Sequence, residues 1–69
     1  MKICKVLGKN VYRYRLEKKY SQEKLAELSN LHRTYISAIE LGKKSPSLKT
    51  IEVLAKILEV EVFELFKTK

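Results

Sequence analysis

Two short apolar-periodic stretches separated by almost nothing constrain this chain more than any other feature. From Ser21 onward, Leu25, Ala26 and Leu28 fall at helical spacing, and from about Arg33 onward Ile36 and Ile39 do the same, with Tyr35 partly inward. Only Ser29-Asn30-Leu31 lies between them. Ser21 can cap the earlier stretch, with Gln22, Glu23 and Lys24 as its first turn, although Lys24 is not the acidic partner of a capping box. Asn30 can end that helix near Ser29, because asparagine tolerates the left-handed conformation better than other non-glycine residues. The later stretch begins around His32 or Arg33 and ends near Leu41, where Gly42 can take the left-handed position. Two helices of about eight residues, joined by a tight turn, are expected.

The flanking sequence supplies their support. Leu7, Val11 and Tyr14 predict a first helix over roughly Lys5 to Lys18, with positions 1–4 as a flexible arm. Lys43 to Pro46 reads as a basic loop. Ser47 can then cap a fourth helix whose Leu48, Ile51, Leu54, Ala55 and Leu58 form one apolar stripe. A short last helix is expected at about Val62 to Phe66, carrying Leu65 and Phe66, before a basic tail at 67–69. With no repeat and no linker, positions 1–69 read as one all-α domain, a compact bundle of five helices. Its 69 residues, with only two glycines and one proline, suit packed helices and leave little room for a large catalytic cleft.

Charge and chemistry narrow the function classes. Fifteen Lys and Arg against eight Asp and Glu give a net charge of +7, which favours a polyanionic partner or serves only solubility; placement has to decide. Cys4 is alone, so it forms no internal disulfide and reads as a small filler near the first helix. No cysteine or histidine cluster has metal-ligand spacing, and no cofactor is expected. His32 caps or precedes the third helix, and Ser37 lacks a paired base and acid, so the chain does not read as an enzyme. No apolar run approaches the roughly 20 residues of a membrane span, and Met1 to Lys9 lacks a secretory core, which predicts a cytoplasmic protein without a membrane partner.

Two short helices at a tight turn make a helix-turn-helix, whose second helix can enter the roughly 12 Å major groove of DNA while the first crosses the backbone. Ala26 lets the two axes approach, and Ile36 and Ile39 lock against Leu25 and Leu31. The run Ser21-Gln22-Glu23-Lys24-Leu25-Ala26, then Leu31-His32-Arg33-Thr34-Tyr35-Ile36-Ser37, Ile39-Glu40, Gly42-Lys43 and Pro46-Ser47-Leu48 resembles the phage-repressor (Cro and lambda-repressor, XRE) helix-turn-helix family. The resemblance extends from about Gly8 to Phe66. Within that family, Leu-x-Arg-Thr-Tyr-Ile-Ser-x-Ile-Glu is most similar to the controller proteins of restriction-modification systems. His32 and Ala38 stand where controllers often have Asp and Gly, and Glu59 stands where a glycine is common. Leu28, Leu41 and Phe63 are apolar where the family is usually polar.

The resemblance implies a lambda-repressor-like DNA-binding domain, a sequence-specific transcription regulator bound to a near-palindromic operator of double-stranded DNA as a homodimer. Arg33, Thr34, Ser37 and Ala38, on the first turns of the third helix, form the expected base-reading set. An Arg33 fork matches O6 and N7 of guanine, the competing reading being a grip on phosphate alone. Thr34 can touch a thymine methyl, whereas Ala38 offers only van der Waals contact. Gln22, Lys43 and Lys44 are expected on the DNA backbone, the lysines as sequence-independent anchors or else as part of a merely solvated loop. Tyr35 either places its hydroxyl on the DNA side or packs its ring on the rim of the core. Lys2, Lys5 and Lys9 could add a basic arm.

Related repressors further imply a partly buried ion pair between Arg15 and Glu40, against the alternative of two exposed charges. Val53, Ile57, Phe63 and Phe66 are expected to form a two-fold dimer interface, or else to pack at the edge of the core. A regulator of this kind would occlude or recruit polymerase, and an antitoxin variant would also bind a toxin. The rival from another class is a protein-interaction module that kept the fold while losing base readout, a reading that Ala38 and the three unusual apolar positions support.

Overall fold

A computed structural model describes residues 2–68 and contains four α-helices and one 3₁₀ helix, with no strand among the described residues. The α-helices are α1 (Lys2–Glu17), α2 (Gln22–Ser29), α3 (Arg33–Glu40) and α4 (Leu48–Leu58), and the 3₁₀ helix spans Val62–Phe66. The expected boundaries of α2, α3 and α4 follow from their caps. Ser21 Oγ accepts the Lys24 N–H at 2.9 Å, and Ser47 Oγ accepts the Thr50 N–H at 3.1 Å, each satisfying a donor that the first helical turn leaves free. At the other ends Asn30, Gly42 and Glu59 are left-handed, with φ of 59°, 75° and 62°. Each lets the next N–H reach back to a carbonyl of the last turn: Leu31 to Ala26, Lys43 to Ala38 and Val60 to Ala55.

Three expectations need correction. First, α1 begins at Lys2 and ends at Glu17, so Lys2, Ile3 and Cys4 belong to the helix rather than to an arm; Met1 lies outside the described residues. The reason is Cys4 itself, which is buried one turn before Leu7 and extends the apolar face. Second, the bundle has four α-helices, not five. Val62–Phe66 is too short to nucleate an α-helix and closes instead with an i to i+3 bond, Glu64 N–H to the Glu61 carbonyl at 2.9 Å.

Third, Leu48 is 84% exposed and takes no part in the core stripe. As the first residue of α4 it stands one turn before Ile51, the first position of that helix to be buried. Ile57, expected in a two-fold interface or else at the edge of the core, is half-buried against the core.

One apolar cluster holds the helices together: Leu7 and Val11 of α1, Leu25 and Ala26 of α2, Ile36 and Ile39 of α3, Ile51, Leu54, Ala55 and Leu58 of α4, and Leu65 of the 3₁₀ helix. Burial of such side chains is the main stabilising term, at about 1.5–3 kcal/mol for each large one before entropy is counted. Ala26 is buried in α2, which packs against both α3 and α4. Asn10 interrupts the apolar face of α1 for a purpose: its Nδ2 donates to the carbonyls of Leu65 and Lys67, both at 2.9 Å, and so fastens the 3₁₀ helix to α1. Lys67 and Thr68 follow that helix, and Lys69 lies outside the described residues.

Candidate nucleic-acid interface

Helix α3 is amphipathic in the sense a reading helix requires. Ile36 and Ile39 are wholly buried, while Arg33 and Thr34 on its first turn are exposed and Ser37 and Ala38 are half-exposed. The four expected base-reading positions therefore share the accessible side of one short helix. His32 occupies the N-cap position but makes no side-chain capping bond. Tyr35 is half-buried and its ring packs on the core. Lys43 and Lys44 are exposed in the loop after α3. Of the lysines proposed as an arm, Lys2, Lys5 and Lys9 are exposed on α1, and the stem of Lys5 lies against Gly42 beside that loop.

The Arg15–Glu40 pair exists and is deeply placed. Arg15 Nε donates to Glu40 Oε2 at 2.6 Å and Nη2 to Oε1 at 3.2 Å, with the side chains only 8% and 5% exposed. A third donor, Arg15 Nη1, reaches the Tyr20 carbonyl at 2.9 Å, and the Tyr12 ring lies 5.3 Å from the guanidinium carbon. Engagement of all three guanidinium nitrogens and both carboxylate oxygens is what makes burying two opposite charges tolerable. Among the described residues no buried side-chain nitrogen or oxygen lacks a partner.

Sequence reasoning missed how this pair connects to the exposed face. Gln22 Nε2 donates to Glu40 Oε1 at 2.9 Å, and Gln22 Oε1 accepts from Arg33 Nη1 at 3.0 Å. A chain of hydrogen bonds thus runs from the Tyr20 carbonyl through Arg15, Glu40 and Gln22 to Arg33. No local signal announces it, because three helices contribute. Asn10 was also missed, although a polar residue one turn from Leu7 inside an apolar stripe was a usable signal.

The apolar positions assigned to an interface divide. Val53 is 36% and Phe63 61% exposed, whereas Ile57 and Phe66 are half-buried against the core. Lys67 places its ammonium 5.6 Å from the Phe63 ring. Leu28 and Leu41 are also exposed, and an open groove of about 160 Å³ runs between Ser29 and Leu31 on one side and Lys49, Thr50 and Val53 on the other.

The sequence profile of the helix-turn-helix family matches residues 11–65. This chain belongs to that family. The helix-turn-helix match takes in α2, the turn and α3, together with the end of α1 from Val11 onward and all of α4. Among relatives, the control protein C.SmaI of Serratia marcescens is 45% identical over 62 residues, covering 90% of this chain and 74% of that one. In three dimensions the chain is similar to the restriction-modification controller protein C.AhdI from Aeromonas hydrophila, with a TM-score of 0.89, 38% identity, and coverage of 96% of this chain and 100% of the other. It is also similar to SinR, a master regulator for biofilm formation solved in complex with DNA, with a TM-score of 0.83, 34% identity, and coverage of 88% and 98%. Among the described residues no helix is long and apolar enough to cross a membrane, and no three His, Cys, Asp or Glu side chains gather as metal ligands.

Proposed function

We propose that this protein is a DNA-binding transcription regulator that inserts α3 into the major groove, binds a near-palindromic operator as a homodimer and acts by occluding or recruiting polymerase. The observation that carries the reading is the division of α3 into a wholly buried face, Ile36 and Ile39, and an accessible one, Arg33 and Thr34 with Ser37 and Ala38 beside them. A helix held so firmly on one side can present the other to base edges without reordering. Its family membership and its likeness to C.SmaI, C.AhdI and DNA-bound SinR support the same reading and favour the role of a restriction-modification controller.

In this scheme Arg33 reads guanine, Thr34, Ser37 and Ala38 contact neighbouring base edges, and Lys43, Lys44, the Tyr35 hydroxyl and the backbone N–H at Gln22 meet phosphates. Val53 and Phe63, flanked by Ile57 and Phe66, form the contact between protomers, which sets two α3 helices about 34 Å apart, one turn of duplex. The net charge of +7 supplies the sequence-independent part of the affinity.

The test is selection of bound duplexes from a random library, followed by binding measurements on the selected and random sequences across a salt series. Arg33→Ala should lose about 1–3 kcal/mol of preference at one base pair of each half-site. Lys43→Ala should instead weaken all duplexes alike and reduce the salt slope by about 0.9. Equal affinity of the unmodified protein for selected and random DNA would end the proposal.

A further inference from the structure

We propose that the groove between Lys9 and Arg13 of α1 and Lys67 and Thr68 after the 3₁₀ helix is a docking site for an acidic peptide segment of a second protein. The groove consists of two adjoining hollows of about 610 and 300 Å³ that share Asn10, Arg13, Lys67 and Thr68. Tyr14 and Phe66, both half-buried, wall the larger one. Its rim is therefore cationic and its wall aromatic, a combination that suits a short segment carrying acids beside an apolar side chain.

Asn10 fixes the floor. It is only 7% exposed, and its Nδ2 donates to the carbonyls of Leu65 and Lys67, which holds that strip of backbone against α1. Its Oδ1 has no donor among the described residues, yet none of their buried side-chain oxygens lacks a partner, so this oxygen opens into the groove that Asn10 lines. A peptide N–H satisfies such an acceptor. A nucleic-acid phosphate, itself only an acceptor, does not.

The charges call for an anionic occupant. Lys9, Arg13 and Lys67 line the groove, and no carboxylate of the described residues does. Glu64 accepts the Tyr14 hydroxyl at 3.0 Å and pairs with Lys67 at 3.7 Å, so it offsets Lys67 alone. Among the described residues neither Lys9 nor Arg13 has a carboxylate within ion-pair distance. Arg13 Nη2 donates to the Tyr14 hydroxyl at 2.7 Å, and the guanidinium carbon lies 4.6 Å from that ring. A guanidinium held in this way loses less freedom when it forks onto a carboxylate.

The groove also lies apart from the face given to DNA. Helix α1 meets α3 through Gly8 and Arg15, which fall on one side of the helix, whereas Asn10 and Arg13 stand roughly 140–160° round it, toward the 3₁₀ helix. A duplex on α3 therefore leaves the groove open, so one molecule can hold DNA and a second protein together. This placement rests on the reading of α3 as the DNA-contacting helix; the chemistry of the groove does not.

The experiment follows the fluorescence anisotropy of a labelled peptide, Asp-Glu-Asp-Leu-Phe-Glu-Asp-Glu, and of its counterpart with Asn and Gln replacing the acids. Each is titrated with the unmodified protein, Arg13→Glu, Thr68→Glu and Lys56→Glu, without DNA and with saturating selected operator. Lys56→Glu makes the same change of charge as Arg13→Glu, on an exposed position of α4. Saturable binding of the acidic peptide is expected with and without operator, the neutral peptide binding roughly tenfold more weakly. Arg13→Glu and Thr68→Glu should each weaken the acidic peptide about tenfold and Lys56→Glu no more than about twofold, with thermal melting establishing that each variant is folded. Equal weakening in all three variants would reduce the effect to net charge and overturn the site, as would the absence of saturable binding. Displacement of the peptide by operator or random duplex would assign the groove to nucleic acid instead. If the protein selects no operator, peptide binding without DNA still decides the groove, and only its simultaneous use with DNA falls.

Discussion

Gly8 of α1 lies so close to Glu40 of α3 that a Cβ added to it would stand 2.6 Å from the Glu40 carbonyl oxygen, with the Ile39 carbonyl crowding it as well. The first helix therefore crosses the end of the third on bare backbone. An alanine would gain about 1 kcal/mol of helix propensity over glycine. The atoms it meets are main-chain oxygens of a capped helix, however, and cannot move aside as a flexible side chain would. Gly8→Ala is expected to lower stability by about 2 kcal/mol net, which for a domain of this size lowers the melting temperature by roughly 10 °C. Circular dichroism melting checks it, and an unchanged or higher melting temperature would show that the crossing has slack.

Removal of either partner of the Arg15–Glu40 pair leaves a charge buried without compensation. Arg15→Ala or Glu40→Ala should cost about 3–5 kcal/mol, a large share of the stability such a small domain commands. Replacing both together, Arg15→Met with Glu40→Leu, should cost far less, because no orphan charge remains. Urea titration of the three variants separates these outcomes. Equal losses in the single and double variants would argue that shape, not charge, matters at this site.

Glu59 ends α4 in the left-handed region at φ 62°, a conformation in which glycine meets no steric penalty. Its carboxylate accepts from Lys18 Nζ at 2.7 Å on the surface. The hydrogen bond and the ammonium charge hold the Glu59 carboxyl below the usual glutamate range, and the same bond raises the Lys18 ammonium above its usual range. A lowered carboxyl contributes stability above its unfolded pKa and loses it as pH falls; a raised ammonium contributes below its unfolded pKa and loses it at strongly alkaline pH. Relief of the left-handed backbone outweighs this exposed pair, so Glu59→Gly should raise the melting temperature by a few degrees. The gain should be larger near pH 3, where acid has reduced what the pair contributes, than at pH 7. Melting curves at the two values test this, and a gain that shrinks in acid would contradict it.

Val53 and Phe63 leave apolar surface in water unless another protomer covers it. In analytical ultracentrifugation the unmodified protein should sediment as a dimer of its 8.1 kDa chain at micromolar concentration. Val53→Glu or Phe63→Glu should yield a folded monomer whose operator affinity drops while its contact with a single half-site persists. A unmodified protein that stays monomeric across this range would remove the proposed interface.

The helix-turn-helix itself was legible because its signals are local. Ser21, Asn30 and Gly42 act on the backbone within one turn of where they stand, so α2, the turn and α3 could be bounded before any contact was known. Periodicity likewise identified Leu25, Ile36, Ile39, Leu54 and Leu58 as buried. It failed at Leu48 because spacing along a helix gives the direction of a side chain but not what covers it. The terminal 3₁₀ helix was placed correctly in the chain but not in type, since so short a segment closes on i to i+3 bonds, and what fastens it to α1 is Asn10, some 55 residues away in sequence.

The candidate site shows the same division. That Arg33, Thr34, Ser37 and Ala38 share one helix was a property of the sequence alone, because four residues within two turns have little freedom in where they project. That Arg33 meets Gln22 across 11 positions, and Arg15 meets Glu40 across 25, was decided only by how α1, α2 and α3 cross. Backbone hydrogen bonds close over three or four residues and can be read in order, whereas contacts between helices depend on the packing of every core side chain at once.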